Sequence, residues 1–400
     1  MARFARERVA VIRAHTLRFE RSLEQRPRRV QHALAIACCA ALSLLSACRG
    51  TPSRTDTSAD AAAESLDYEQ AKALADLGDA RAQFRLAFLL EEGKVVPQDL
   101  PQAAGWYRRA ADQGDAASQL NLGLMLLAGR GVARDDAEAA RLLLASAQQG
   151  VAPAQYTLAR LYRKGAVQGA QENPAASQTL AKEGLGWLRV AAKQGLALAQ
   201  AELGAIYAQG DEVEADDGEA LKWLRPAAEQ GHPGAQTNLA RMYALGRGVE
   251  HDDAEAARLL RLAAEKGYAP AQANLALMCT RGEGVEQDQE EAARWNQRAA
   301  DQGHAGAQCN LGLMYLRGDG VAEDAEQAAL WFRRAAEQGF AVGQRRLGAM
   351  YENGRGVAKD EAAAYAWYKL AADQGDSEAA LRCSALEPRL TPEQRAQKAP

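Results

Sequence analysis

Five His and six Cys are the side chains of this 400-residue sequence best suited to metal, redox or nucleophilic chemistry. Their spacing argues against it. His15 and His32 lie in an Arg-rich N-terminal stretch, and His251 stands just before an Asp. His232 and His304 each follow the Gly that ends a recurring phrase, two repeats apart and too distant to share one zinc ion. Without a close His/Cys/carboxylate cluster, metal catalysis is not expected. No Ser has Lys three residues on, and neither KTG nor SDN occurs, so the serine acyl-transfer set is missing. No G-x-x-x-x-G-K-S/T loop is present to cradle phosphate. The chain is therefore expected to be no enzyme, with no catalytic residue, no metal ligand and no cofactor.

The cysteines fall into two groups. Cys38, Cys39 and Cys48 belong to an N-terminal region in which 33–47, ALAIACCAALSLLSA, is a 15-residue apolar run behind Arg28 and Arg29. That run is short for a bilayer span and fits the hydrophobic part of a secretory signal. Its end, Leu45-Ser46-Ala47-Cys48, resembles the lipobox of bacterial lipoproteins. The resemblance implies cleavage before Cys48, diacylation of its sulfur and, with Arg49 at position two, an outer-membrane anchor facing the periplasm. Residues 1–47 are thus a signal peptide, and the small, polar stretch 48–65 is a flexible tether. Cys279, Cys309 and Cys383 remain. The first two occupy positions of neighbouring helices about 9 Å apart along the axis, which leaves open a disulfide or two buried thiols.

Charge divides at the same place. Residues 1–47 hold nine Arg and three Glu, a formal +6, while the rest holds 39 basic and 49 acidic side chains, a formal −10. A body of that sign is not expected to bind nucleic acid, whose affinity rests on clustered Lys and Arg.

The elements that would position any site come from a repeat. The Gly closing each AADQG-like phrase recurs at 78, 114, 150, 195, 231, 267, 303, 339 and 375, spaced by 36 except for one interval of 45. Five residues after the Gly stands Gln in all eight repeats, eight after it Leu, nine after it Gly or Ala. At 100° per residue these lie on one buried half of a helix, helix A, and the small residue at position nine admits a neighbouring helix. A G-x-G-V turn follows in five repeats. Then comes Asp at 99, 135, 216, 252, 288, 324 and 360, with an acid or Gln three residues on in six of the seven, the pattern of a capping box opening helix B. All six Trp share one place in helix B, with Leu142 and Leu259 in the other two repeats, and five of the six Met share one place in helix A. Residues that recur so, with Leu as the alternative, are core anchors.

The phrase AADQGHAGAQCNLGLMYLRGDGVAEDAEQAALWFRRAAEQG, residues 300–339, closely resembles the Sel1-like repeat, a relative of the tetratricopeptide repeat. The resemblance covers residues 66–386 and implies an all-α, right-handed solenoid of about eight 36-residue helix–turn–helix repeats. Residues 66–77 read as a lone helix B in front and 376–386 as a truncated helix A behind, with 387–400 a disordered tail. It also implies a non-catalytic scaffold or adaptor whose partners are other proteins, of the envelope or periplasm, with the membrane reached through the N-terminal lipid. No small-molecule substrate is expected. Two alternatives stay open. Cysteine-rich relatives suggest a β-lactam or cell-wall hydrolase, and a misassigned N-terminus would make the protein a cytoplasmic signalling adaptor.

Helix-A positions 3, 6, 7, 10, 13 and 14 span a continuous 120° arc opposite the core, which in tetratricopeptide-like superhelices lines the concave groove. Position seven holds Asn121, Asn238, Asn274 and Asn310, and position ten holds Phe88, Leu124, Arg160, Arg241, Leu277 and Leu313. With Arg163, these amides, cations and apolar pockets suit an extended, partly acidic segment, although Asn at this place also reads as plain repeat consensus. The long interval, 166–186, carries Asn173-Pro174 as a helix start, so its helix B should be two turns longer than its neighbours.

Overall fold

A computed structural model describes residues 67–169, 174–397 and 399, with side chains 164–178 left aside. The signal region, Cys48 and the tether lie outside the described residues. Among the described residues there are 19 α-helices and no strand. A lone helix, α1 (Tyr68–Asp76), precedes the pairs α2 (Ala80–Glu92)/α3 (Leu100–Asp112), α4 (Ala116–Ala128)/α5 (Asp136–Gln148) and α6 (Ala152–Gly169)/α7 (Pro174–Lys193). The pairs α8 (Ala197–Gln209)/α9 (Asp217–Glu229), α10 (Pro233–Leu245)/α11 (Asp253–Glu265) and α12 (Ala269–Arg281)/α13 (Gln289–Asp301) follow. Then come α14 (Ala305–Arg317)/α15 (Ala325–Glu337), α16 (Ala341–Asn353)/α17 (Glu361–Ala372), α18 (Ser377–Leu386) and α19 (Pro392–Arg395). The chain divides into two compact units, residues 1–199 and 200–400. Apart from α8, which crosses the boundary between the units, every A helix packs on its own B helix and on the B helix before it.

Local chemistry sets the helix ends. Each expected Asp caps its B helix: Asp216 and Asp288, for example, accept the N–H groups of Glu219 and Glu291 at 2.9 and 2.8 Å. The expected reciprocal capping boxes do not form in these helices. Glu291 instead accepts from Trp295 Nε1 at 3.0 Å and pairs with Arg261, and Glu138 pairs with Arg108 of the preceding repeat. Glu138 and Glu291 thus tie neighbouring repeats together, while Glu219 and Glu255 pair within their own helices with Lys222 and Arg258. The two Gly of the G-x-G-V turn both take positive φ, as at Gly318 (75°) and Gly320 (69°). The second also lies against backbone: a Cβ on Gly320 would stand 2.0 Å from the Gln289 carbonyl oxygen.

Side-chain packing follows the repeat. Trp295, Trp331 and Trp367 are buried and Trp106, Trp187 and Trp223 half-buried. An Arg three residues on covers several of them, 4.4 Å above Trp106 and Trp331. The five repeated Met are buried as well. At position nine, a Cβ on Gly312 would stand 2.7 Å from Phe332 Cε1, in a ring that is fully buried. The long interval is absorbed by both helices: α7 has 20 residues and begins at Pro174 as expected, and α6 has 18 where the other A helices have 13.

A ladder of buried glutamines joins the repeats. Gln272 Nε2 donates to the Ala264 carbonyl of the preceding repeat at 3.0 Å, satisfying the last turn of α11, and its Oε1 accepts from Gln302, at the end of its own repeat's helix B, at 2.8 Å. The same two bonds recur at Gln83, Gln119, Gln155, Gln308 and Gln344. The ladder breaks once. Lys266 stands where the other repeats have the donating Gln, its ammonium donates to the Gly231 carbonyl at 2.6 Å, and Gln236 Oε1 is left buried without a partner.

The C-terminal residues correct one expectation. Residues 387–395, read as part of a disordered tail, form a 3-10 turn (Glu387–Arg389) and then α19, opened by a Thr391–Gln394 capping box. Leu390 is buried against the last helix pair and Arg389 pairs with Glu361. One apolar anchor covering the end of the stack outweighs a composition that is otherwise polar.

Two substitutions test this packing. Lys266→Gln should complete the ladder and raise the unfolding free energy by about 1 kcal/mol, read from urea denaturation. Gly312→Ala should lower it by about 1–3 kcal/mol, because the buried Phe332 ring has no room to retreat.

Candidate interaction surface

The arc opposite the core on the A helices is where the sequence placed a binding face, and the structure sorts its residues. In unit two, consecutive A helices meet directly, α10 with α12 and α14 with α16, which makes this the closely spaced, inner side of the stack. Asn238 and Asn310 are half-buried and Asn274 is exposed, and among the described residues their side-chain amides have no hydrogen-bond partner. Arg241, one turn from Asn238, is exposed and makes no ion pair among the described residues. Leu277, at the equivalent place in the next repeat, is 38% exposed, and Leu313 after it is half-buried.

In unit one the expected face is largely committed to the fold. Asn121 hydrogen-bonds Tyr107, whose hydroxyl donates to Glu91 Oε2 at 2.9 Å. Burial and then the adjacent Glu91 hold the Tyr107 hydroxyl well above its ordinary pKa. Arg160 lies over the Tyr156 ring, 5.7 Å from its centroid, and Arg163 is engaged within the chain. The sequence put these four Asn on equal terms, but Tyr107 stands where most repeats carry an apolar residue, and its hydroxyl claims Asn121.

Sequence reasoning passed over two cations of the same arc. Arg317, at position 14 of its repeat, is exposed without an ion pair among the described residues. Arg346, at position seven where neighbouring repeats have Asn, is half-buried with a buried Nε that lacks a partner. Both positions lay within the arc, so spacing was a sufficient signal. Arg345 beside it is different: it pairs with Asp376 at 2.9 Å and Glu378 at 2.6 Å and so clamps α18 onto α16. Burial pushes the Asp376 carboxyl up, but the Ala379 N–H and the Arg345 guanidinium together hold it below its ordinary value.

The residues best suited to chemistry have structural posts. His232 and His304 are N-caps, their Nδ1 atoms accepting the N–H groups of Ala235 and Ala307 at 3.1 Å. Cys279 and Cys309 are buried free thiols, which closes the disulfide alternative, and burial pushes them up to about 11 and about 12. No group of three or more His, Cys, Asp or Glu is placed to hold a metal ion among the described residues. None of the described helices is long and apolar enough to cross a membrane. A shallow depression of about 780 Å³ in unit two, lined by Arg261 and by Glu286, Asp288, Glu290 and Glu291, carries the opposite charge from the inner face.

A family model for the Sel1 repeat matches eight consecutive segments, 80–115, 116–151, 152–196, 197–232, 233–268, 269–304, 305–340 and 341–376. The chain belongs to the Sel1 repeat family. Solved structures agree. A Sel1 repeat protein from Oxalobacter formigenes is 34% identical, with 84% of this chain and 97% of that one covered at a TM-score of 0.58. A protective antigen of uropathogenic Escherichia coli strains, described as displaying an SLR fold, is 28% identical, with 82% and 92% covered at a TM-score of 0.50. No curated protein matches. The fold is thus an all-α solenoid of eight Sel1 repeats, an architecture generally used as a scaffold for other proteins.

The two His caps give a pH prediction. Burial lowers both from the ordinary value of 6.5, with Lys266 adding to the effect at His232. The folded state therefore binds these protons less readily than the unfolded chain, and the caps stabilise fully only above pH 6.5. The melting temperature should fall as pH drops from about 7 to about 5, and the fall should be smaller in His232→Asp/His304→Asp, whose caps match Asp79 and Asp115.

Proposed function

We propose that this Sel1 repeat protein is a non-catalytic scaffold of the bacterial envelope that holds segments of partner proteins against the inner face of its A helices. The observation that carries the reading is the row of Asn238, Asn274 and Asn310, one per repeat in three consecutive repeats, with side-chain amides unpartnered among the described residues. An amide offers both a donor and an acceptor, so such a row can follow a peptide backbone whatever its side chains. Envelope placement rests on the apolar run 33–47 and on Cys48, the proposed lipid-bearing residue of an outer-membrane anchor facing the periplasm. The E. coli relative's description as a protective antigen fits that placement. A hydrolase reading gains nothing from the geometry, since the His side chains cap helices and the thiols of Cys279 and Cys309 are buried.

Two measurements test the proposal. Replacing Asn238, Arg241 and Asn274 together by Ala should reduce capture of envelope partners by about tenfold or more at unchanged far-UV circular dichroism. Unchanged capture with an unchanged fold would refute the inner face as the binding surface. Protein recovered from the membrane fraction should have the mass of a chain starting at Cys48 with three acyl groups, and an unmodified chain retaining residues 1–47 would sink the anchor.

A further inference from the structure

Charge on the A helices of unit two runs against that of the chain. From α8 to α16 the five A helices carry Arg241, Arg281, Arg317, Arg345 and Arg346 against only Glu202 and Glu352. Residues 48–400 as a whole carry a formal −10, so the acids lie on the B helices and the connecting turns. Some of the inner charges are spent within the fold. Arg345 clamps α18, Arg281 lies 3.6 Å from Glu283, and Glu352 accepts from Tyr368 at 2.7 Å with Arg382 at 3.7 Å. Arg241, Arg317 and Arg346 are not so used: none makes an ion pair among the described residues, and the buried Nε of Arg346 is orphaned. A half-buried guanidinium without a counter-ion carries a desolvation cost that an incoming carboxylate would offset.

The order of residues across the face is informative. From α10 to α16 it presents Arg241, then Leu277, then Leu313 with Arg317, then Arg346, with Asn238, Asn274 and Asn310 beside them. Cations thus stand on both outer helices, Arg241 on α10 and Arg346 on α16, while the two helices between carry Leu277 and the half-buried Leu313, with Arg317 one turn beyond. Helices in contact lie about 8–10 Å apart, the rise of about three residues of extended chain, so the three intervals between four A helices match about nine residues, and a segment of about twelve reaches past both outer helices. We infer, building on the scaffold reading above, that the inner face of unit two binds an extended acidic segment of a partner protein, with carboxylates near both ends and apolar side chains between. The amides hold its backbone, Leu277 and Leu313 take its apolar centre, and the three free guanidiniums meet its acids.

The test uses the full chain and a fluorescein-labelled dodecapeptide with three Glu at each end and a Leu-rich centre, followed by fluorescence anisotropy. The peptide should bind, with affinity falling about tenfold between low and physiological salt, because the contacts are between partly exposed charges. Arg241→Glu/Arg317→Glu, at two exposed positions, should weaken binding about tenfold or more, whereas Arg294→Glu on α13 should leave it unchanged. Equal binding of the same peptide with every Glu replaced by Gln would overturn the inference and leave the scaffold reading standing. Failure of the acidic peptide to bind up to about 1 mM would also overturn it, the scaffold reading then being judged by partner capture alone. Displacement of the peptide by a DNA duplex at matched charge would replace the inference with general polyanion binding.

Discussion

A Sel1 repeat cannot bury its own faces, and the bond that makes one repeat lean on the one before it runs from a buried glutamine amide to the last turn of the preceding helix B. Each rung closes the carbonyl end of one helix B and then accepts from the Gln that ends the next, so three helices share one buried polar link. Because that link lies out of water, each amide must be satisfied, and satisfying it fixes both the distance and the rotation between repeats. The small residue at position nine, the buried aromatics of the B helices and the glycines of the turns all presuppose that register. Where Lys266 interrupts the ladder, the cost appears as an orphaned carbonyl oxygen on Gln236 and a cation set beside the His232 cap.

With the core side of every A helix fixed in this way, the opposite side is free to vary. Variation there is what distinguishes one part of the chain from another. In unit one the Tyr107–Glu91 pair claims Asn121. In unit two, among the described residues, the equivalent amides stay unclaimed and three guanidiniums go without counter-ions, in a chain whose formal charge is negative. The difference between the units is thus a pattern left on a face that the fold does not need.

The sequence made much of this legible. Asp99, Asp135, Asp216, Asp252, Asp288, Asp324 and Asp360 each cap the helix they were expected to cap, because an Asp before an Ala-rich run needs only its own side chain and the N–H groups two or three residues on. Pro174 opens α7 for a similarly local reason. The Glu or Gln three residues after six of these Asp does not complete a capping box: at Glu291 the carboxylate is taken by Trp295 one turn on and by Arg261 of the preceding repeat, and the second partner is invisible to local sequence. His232 and His304 went unrecognised as caps because the equivalent residues of the other repeats vary among Asp, Val, Leu, Tyr and Phe.

The amino-acid sequence by itself determined the repeat, its 36-residue period, the helix ends and the buried stripe, all of which depend on neighbours within a few turns of chain. Only the tertiary structure decided which polar residues of the inner face are spent and which are spare. Asn121 and Asn274 hold the same repeat position, as do Arg346 and Asn310. What separates them is whether a hydroxyl or carboxylate from a different helix arrives within hydrogen-bonding distance. Leu390 makes the same point at the chain's end, where an apolar side chain in a polar tail is buried because the last helix pair leaves it a surface to cover.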